Sequence, residues 1–265
     1  MTTITLRGVD LDVLNSATKY PQIPTYHRMG ERGRLGDEHI DFTGLRVYVT
    51  EKIHGTNARI VRLPDGHWLL GSREEWVYAD GDLLANPVEG IADALRRVAR
   101  RLTIMPPPDD VEAIFGEVYG AGIGPGGAWY STTGAVGFRV FDIATIPAEV
   151  LDWPRERVAA WRDHGGQQFL SVDDFAHRAT VLDLRPVPDL YSIGDGVTLP
   201  ADHQTMLDWL HRWLPYSLAR LDTSTHAERA EGVVLRTPDR ALIAKARFED
   251  YQRTLRHTGP PSVHT

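Results

Sequence analysis

Val47-Tyr48-Val49-Thr50-Glu51-Lys52-Ile53-His54-Gly55-Thr56-Asn57 reads as a strand that runs into a tight turn. Successive side chains of a strand face opposite ways. Val47, Val49 and Glu51 therefore share one face, and Tyr48, Thr50 and Lys52 the other. Gly55-Thr56-Asn57 supplies a turn whose backbone can lie close to a ligand. The stretch predicts a lysine amine at the mouth of a sheet, beside a histidine and a glycine-bearing loop.

Lysine occurs only at Lys19, Lys52 and Lys245, so of the 29 lysines and arginines 29 − 3 = 26 are arginine. Where this chain needs only positive charge it uses arginine. Arginine keeps its proton in proteins and cannot act as a nucleophile, whereas lysine can. Position in the sequence singles out Lys52 and Lys245.

With 265 residues, 42% of them hydrophobic and 25% charged, the chain has the make-up of an ordinary globule with length for a substantial core. No apolar run reaches the about 18 residues of a membrane span, so no membrane partner is expected. The opening Met1-Thr2-Thr3-Ile4-Thr5-Leu6-Arg7 lacks the basic-then-apolar pattern of a signal peptide. The absence of cysteine excludes disulfides and thiolate metal sites, and a cytoplasmic monomer is the expectation. A net charge of −7 argues against indiscriminate nucleic-acid binding but is compatible with a local basic groove. The pairs Arg96-Arg97 and Arg100-Arg101 read as a solvated helix face.

Outward from the opening stretch, 46–52, 57–63 and 67–73 read as consecutive strands, with Pro64-Asp65-Gly66 as a hairpin turn. Residues 1–45 are polar and rich in turn formers, and the prolines of Lys19-Tyr20-Pro21-Gln22-Ile23-Pro24 favour extended backbone. Ile91, Leu95, Val98 and Leu102 mark a helix over 88–102. Strands at 111–119 and 136–143 flank a glycine-rich stretch at 120–127, which lacks the spacing of a P-loop and reads as a mobile loop. Residues 150–220 look mainly helical, with Ser171 as a cap and Met206, Trp209, Leu210 and Trp213 as a packing stripe. Strands at 231–236 and 241–247 and a helix at 248–256 follow, and the tail Gly259-Pro260-Pro261-Ser262 is expected to fray. Mixed rather than alternating strands and helices predict an α+β fold with largely antiparallel sheets.

Several short motifs accompany Lys52. Arg73 closes Trp68-Leu69-Leu70-Gly71-Ser72-Arg73, and Glu117 stands in Phe115-Gly116-Glu117-Val118-Tyr119-Gly120. Phe141-Asp142 ends a strand, and Glu231-Gly232 opens one. Ile243-Ala244-Lys245-Ala246-Arg247 places Lys245 and Arg247 on one strand face.

In kind and order these motifs resemble those of the covalent nucleotidyltransferase superfamily of ATP-dependent ligases and mRNA capping enzymes, and are most similar to the RNA ligase 2 type. That type carries Lys-x-His-Gly-Thr-Asn, present here as Lys52-Ile53-His54-Gly55-Thr56-Asn57. Ser72-Arg73, Phe115-Gly116-Glu117, Val140-Phe141-Asp142, Glu231-Gly232 and Lys245-Ala246-Arg247 match the remaining motifs in order. Arginine at 247 departs from the pattern, keeping the charge but changing the geometry available to phosphate. The resemblance implies an ATP-grasp-like nucleotidyltransferase domain over 46–265 with 1–45 as an extension packed on it, and no room for a further C-terminal domain.

The resemblance also implies an activity. Lysine attacks the α-phosphate of ATP to give lysyl-AMP, AMP passes to a 5′-phosphate end, and a 3′-hydroxyl displaces AMP to seal the strands. Lys52, His54, Lys245 and Arg247 are then the catalytic candidates. Glu51, Thr56, Asn57, Arg73, Glu117, Phe141, Glu231 and Lys245 are the nucleotide contacts, with Phe141 on adenine. Glu231 and Glu117 are the hard-oxygen partners for Mg²⁺ or Mn²⁺. The implied partner is nucleic acid, RNA or RNA/DNA ends, in a nicked duplex. Two alternatives stay open: a capping-type guanylyltransferase, against which His54 weighs, and a non-catalytic binder of nicks or ends, which would be expected to have lost the lysine or the acids.

Overall fold

A computed structural model describes residues 4–80, 90–106, 109–194, 198–222 and 229–258. The tail at 259–262, read as frayed, and the first two residues of the 88–102 helix lie outside the described residues. The chain forms two compact units. The first comprises residues 1–22, 54–186 and 221–225, and the second 23–53, 187–220 and 226–265. The first 45 residues thus divide between the units.

In the second unit, β3 (Val47–Lys52) lies between β10 (Asp189–Ile193) and β11 (Gly232–Arg236), and β12 (Ile243–Arg247) closes a four-stranded sheet. β1 (His27–Met29) and β2 (Leu35–His39) form a separate hairpin. The alternation read from β3 holds: Val47, Val49 and Glu51 are buried, and Tyr48, Thr50 and Lys52 are partly exposed. The buried face joins Val233, Leu235, Ala244 and Ala246 in a core with Met206, Leu207 and Leu210 of α5 (His203–Trp213) and Tyr251 of α6 (Phe248–Thr258).

The first unit is built on six strands in the order β6 (Trp76–Ala79), β5 (Trp68–Ser72), β4 (Thr56–Arg62), β7 (Asp110–Gly120), β8 (Val136–Pro147) and β9 (Gln168–Phe169). Among the described residues every pairing between these strands is antiparallel, in keeping with the α+β reading. Ile60, Leu70, Ile114 and Ile143 pack with Ile91 and Leu95 of α2 (Ile91–Ala99), and Ala179 of α4 (Val172–Val181) joins them. Ser171 caps α4 by accepting from the Asp174 N–H at 3.1 Å, as its sequence position predicts.

Two helices complete this unit. α3 (Arg155–Asp163) packs with α1 (Leu11–Ala17), an element absent from the sequence reading. α1 is only two turns long, and its N-cap Asp10 accepts from Asp12 N–H at 2.8 Å and Val13 N–H at 3.2 Å. Among the described residues no helix is long and apolar enough to cross a membrane.

A buried charge cluster ties β4 and β7 to α4. Glu112, 1% exposed, accepts from Arg62 and from Arg178, each at 2.7 Å. Removing the carboxylate takes the shared charged acceptor from Arg62, 5% exposed, and from Arg178, 21% exposed. Glu112→Ala is therefore expected to cost about 3–5 kcal/mol in chemical denaturation, whereas Glu38→Ala, which breaks the exposed 3.1 Å Arg28–Glu38 pair, shifts the same curve within error.

Candidate active site

The motif that opens the sequence reading is where the chain passes from one sheet to the other. Lys52 ends β3, Thr56 starts β4, and the unit boundary falls between Ile53 and His54. Each side of the motif is held by its own unit.

In the second unit, cross-strand register places Lys52 opposite Gly232 and Gly232 opposite Arg247, while Val234 stands between Thr50 and Lys245. Lys52, Lys245 and Arg247 therefore share one face of the sheet. Glu231, one residue before β11, meets Lys52 there, Nζ to Oε2 2.7 Å, with side chains 25% and 14% exposed. Glycine at 232 is a packing requirement: a Cβ would lie 2.1 Å from the Ala246 carbonyl oxygen and 2.7 Å from Arg247 Cα. Lys245 is fixed through its backbone, with N–H to Pro24 O at 2.9 Å and its own carbonyl accepting from Tyr26 N–H at 2.8 Å.

Arg247 has a partner the sequence reading did not assign. Its Nε and one terminal nitrogen donate to the two oxygens of Asp250 at 2.7 and 2.9 Å. Burial works against the charge, but Asp250 and Glu231 outweigh it and hold the guanidinium pKa above its ordinary value. Asp250 is 1% exposed and also accepts from Arg253. Glu51 stands on the opposite face from Lys52 and is 1% exposed. Its carboxylate accepts from Ser217 Oγ and, at 2.8 Å, from Leu218 N–H. The structure thus brings Lys52, Glu231, Lys245 and Arg247 to one face and leaves Glu51 on the other.

In the first unit, Asn57, Glu117 and Arg139 stand in one row across β4, β7 and β8. Glu117 Oε1 accepts from Gly55 N–H at 3.1 Å. A Cβ on Gly55 would lie 2.2 Å from Val118 O, so the turn sits directly on β7. Gly116 is equally confined, by the Phe138 ring at 2.3 Å and Arg139 O at 2.5 Å. Phe115 pairs with Asp142 and Gly116 with Val140, which makes Phe141 the extra residue of a β-bulge. Its ring meets Tyr20 edge-on with centroids 5.0 Å apart, and the Tyr20 hydroxyl donates to Asp142 at 2.9 Å. Asp142 is itself buried. Arg73 lies in the exposed turn after β5, with Nε 3.7 Å from Glu74.

The glycine-rich stretch after β7 is folded. Ile123 N–H bonds Gly120 O at 3.0 Å, Ala121 N–H bonds Ala135 O at 3.0 Å, and Ile123 and Tyr130 are buried at 1% and 0% exposure. This corrects the expectation of a mobile loop: Gly120 and Gly127 let backbone approach backbone, and Gly127 has no room for a Cβ beside Gly120 O at 2.2 Å. His54 rests on this loop, its N–H donating to Tyr130 Oη at 2.7 Å and its ring edge-on to Trp129 at 5.1 Å. Sequence reasoning passed over Trp129 and Tyr130. An aromatic pair among glycines was the available signal.

Among the described residues no three His, Asp or Glu side chains are placed to hold a metal ion together. The protein offers single carboxylates, a donor set that fits Mg²⁺ or Mn²⁺ held jointly by one or two acids, substrate phosphates and water.

The RNA ligase family model matches residues 45–250 of this chain. Solved structures of Naegleria gruberi RNA ligase point mutants are similar to it. One with ATP and Mn is 18% identical over 81% of this chain and 52% of that one, at a TM-score of 0.52. Two with AMP and Mn are 19% and 20% identical, each over 80% of this chain and 52% of the other, at TM-scores of 0.54. The chain thus spans about half the length of these structures, and at such identity the likeness is one of fold. No curated protein matches the chain.

The crowding at residue 232 gives a direct check. Gly232→Ala must push β11 from β12 beside Lys52 and Arg247, and is expected to lower stability by about 1–3 kcal/mol in chemical denaturation.

Proposed function

Since the chain belongs to the RNA ligase family, we propose that it is an ATP-dependent polynucleotide ligase of RNA ligase 2 type, with Lys52 as nucleophile. The observation that carries this reading is the sheet face on which Lys52, ion-paired to Glu231 at 2.7 Å, stands with Lys245 and Arg247.

The first step forms a bond between the Lys52 nitrogen and the α-phosphorus of ATP and breaks the bond to the β-phosphate, releasing pyrophosphate. The attacking amine must be neutral, so the Lys52–Glu231 pair has to part and the ammonium lose its proton. Lys245 stands on the same sheet face as Lys52. Lys245 and Arg247 also meet the charge that builds on the phosphates. Glu231 and Glu117 are the carboxylates proposed to hold Mg²⁺ or Mn²⁺. When bound, the ion would supply positive charge to the triphosphate.

Thr56, Asn57 and Arg73 are proposed contacts to ribose, phosphates and substrate ends. Phe141 is proposed to stack on adenine, and Glu117 to bond a ribose hydroxyl. Glu51 supports Lys52 from beneath β3 through its bonds to Ser217 and Leu218. AMP then passes from Lys52 to a 5′-phosphate, and a 3′-hydroxyl attacks that phosphorus and expels AMP. His54 serves these later transfers. We take 46–265 as the adenylyltransferase domain and 1–45 as its support, and the enzyme as a cytoplasmic monomer acting on nicked duplexes that contain RNA. A complementary strand holds both ends in place, which supports nick sealing over joining of free strands.

Lys52→Arg keeps the charge and loses the nucleophile. It is expected to abolish the AMP adduct while retaining some sealing of a substrate already carrying a 5′-adenylate. Lys19→Arg, at a residue paired with Glu74 at 2.6 Å, is expected to label like wild type. Peptide mapping that puts AMP on another residue, or labelling that survives Lys52→Arg, overturns the reading.

Excess chelator is expected to abolish self-labelling, and Mg²⁺ or Mn²⁺ to restore it. Gel assays are expected to show nicked duplexes joined better than untemplated single strands, with binding that weakens as salt rises.

A further inference from the structure

His54 is crowded on three sides by one short segment. Its backbone N–H donates to Tyr130 Oη at 2.7 Å. Its ring meets the Trp129 indole at 90°, centroids 5.1 Å apart. The third neighbour is Gly126, where a Cβ would lie 2.8 Å from His54 Cγ, 3.0 Å from Cβ and 3.2 Å from Cδ2.

Gly126 has φ −88° and ψ 0°, a conformation open to any L-residue. Glycine is therefore kept there for space, and the three nearest atoms a methyl group would strike all belong to the His54 side chain. The segment is itself anchored. Tyr130 is buried and meets Tyr119 edge-on at 5.0 Å, and its carbonyl accepts from Leu221 N–H at 2.9 Å. One oxygen of Asp222 then accepts from Ser131 Oγ, Thr132 N–H and Thr133 Oγ1, each at 3.0 Å.

We propose that Gly126, Trp129 and Tyr130 form a seat for His54 and act as positioning residues that fix the imidazole for the transfer of AMP to a 5′-phosphate and for sealing. This rests on the ligase reading above. An edge-to-face contact fixes the ring plane, the Tyr130 hydroxyl fixes the backbone it hangs from, and the bare Gly126 Cα sets how far the ring can lie over the loop.

Gly126→Ala, His54→Ala and the double variant of the full chain decide the matter. Two activities are read: lysyl-AMP formation from labelled ATP, and sealing of a nicked duplex already carrying a 5′-adenylate. A third readout needs no activity, the ¹H–¹⁵N imidazole correlation of His54 in the free protein. Gly126→Ala is expected to shift that resonance, and to lower sealing about 10- to 100-fold and lysyl-AMP formation by less. In the His54→Ala background the same substitution is expected to cost little more, because Cγ and Cδ2 are gone.

Tyr130→Phe removes the hydroxyl but keeps the ring. It is expected to shift the same resonance and to give a smaller loss of sealing, and it stands in if Gly126→Ala does not fold. Additive losses in the double variant, or wild-type sealing with an unmoved imidazole in both Gly126→Ala and Tyr130→Phe, overturn the seat. Absence of lysyl-AMP in the wild type overturns the ligase reading instead, and the imidazole shift then still tests the seat.

Discussion

A methyl group on residue 55 would sit 2.2 Å from the carbonyl oxygen of Val118. That constraint governs the motif from Lys52 to Asn57. Between the end of β3 and the start of β4 the chain has three residues in which to leave one sheet and join another. Ile53 is buried at 2% exposure, and Gly55 lies flat on β7 with its N–H on Glu117. His54 thus stands between a buried residue and a glycine that lies against β7.

The charges on the second unit's sheet are fixed to different degrees. Arg247 is clamped at two points by Asp250, which arginine's planar fork permits and a lysine ammonium does not. It stands as an immobile positive charge on the face that carries Lys52. Lys245 is tethered by its backbone on both sides of the residue. Asp250, in the first turn of α6, is the residue that fixes Arg247.

What could be read from sequence follows from how local each cause is. The alternation of β3, the hairpin at Pro64-Asp65-Gly66 and the Ser171 cap depend on neighbours within a few residues, and they stand as read. α1 escaped notice because its two turns carry too few apolar positions for a period, and its packing against α3 lies more than a hundred residues away. β9 and β10 are short strands within a stretch of helical composition. Asp142 could be marked as a motif residue, but its bond to Tyr20 spans 122 positions. Glu51 presents the reverse case, since its face could be read from alternation. What could not be read is that a loop 166 positions later supplies the Ser217 hydroxyl that its carboxylate meets.

The glycines show the same division in sharper form. Gly55, Gly116, Gly126 and Gly232 all stand in or against the motifs, and a Cβ on each would collide with a neighbour at 2.8 Å or less. For three of them the obstacle includes backbone of an adjoining strand, so the glycine belongs to the fold. At Gly126 the obstacle is the side chain of one histidine. A glycine that spares backbone protects a sheet, and its replacement damages many things together. A glycine that spares one imidazole protects a position of that ring, and its replacement has one target. That difference can be stated only after the neighbours are known, and it separates the glycines that space the strands from the one that spaces a single ring.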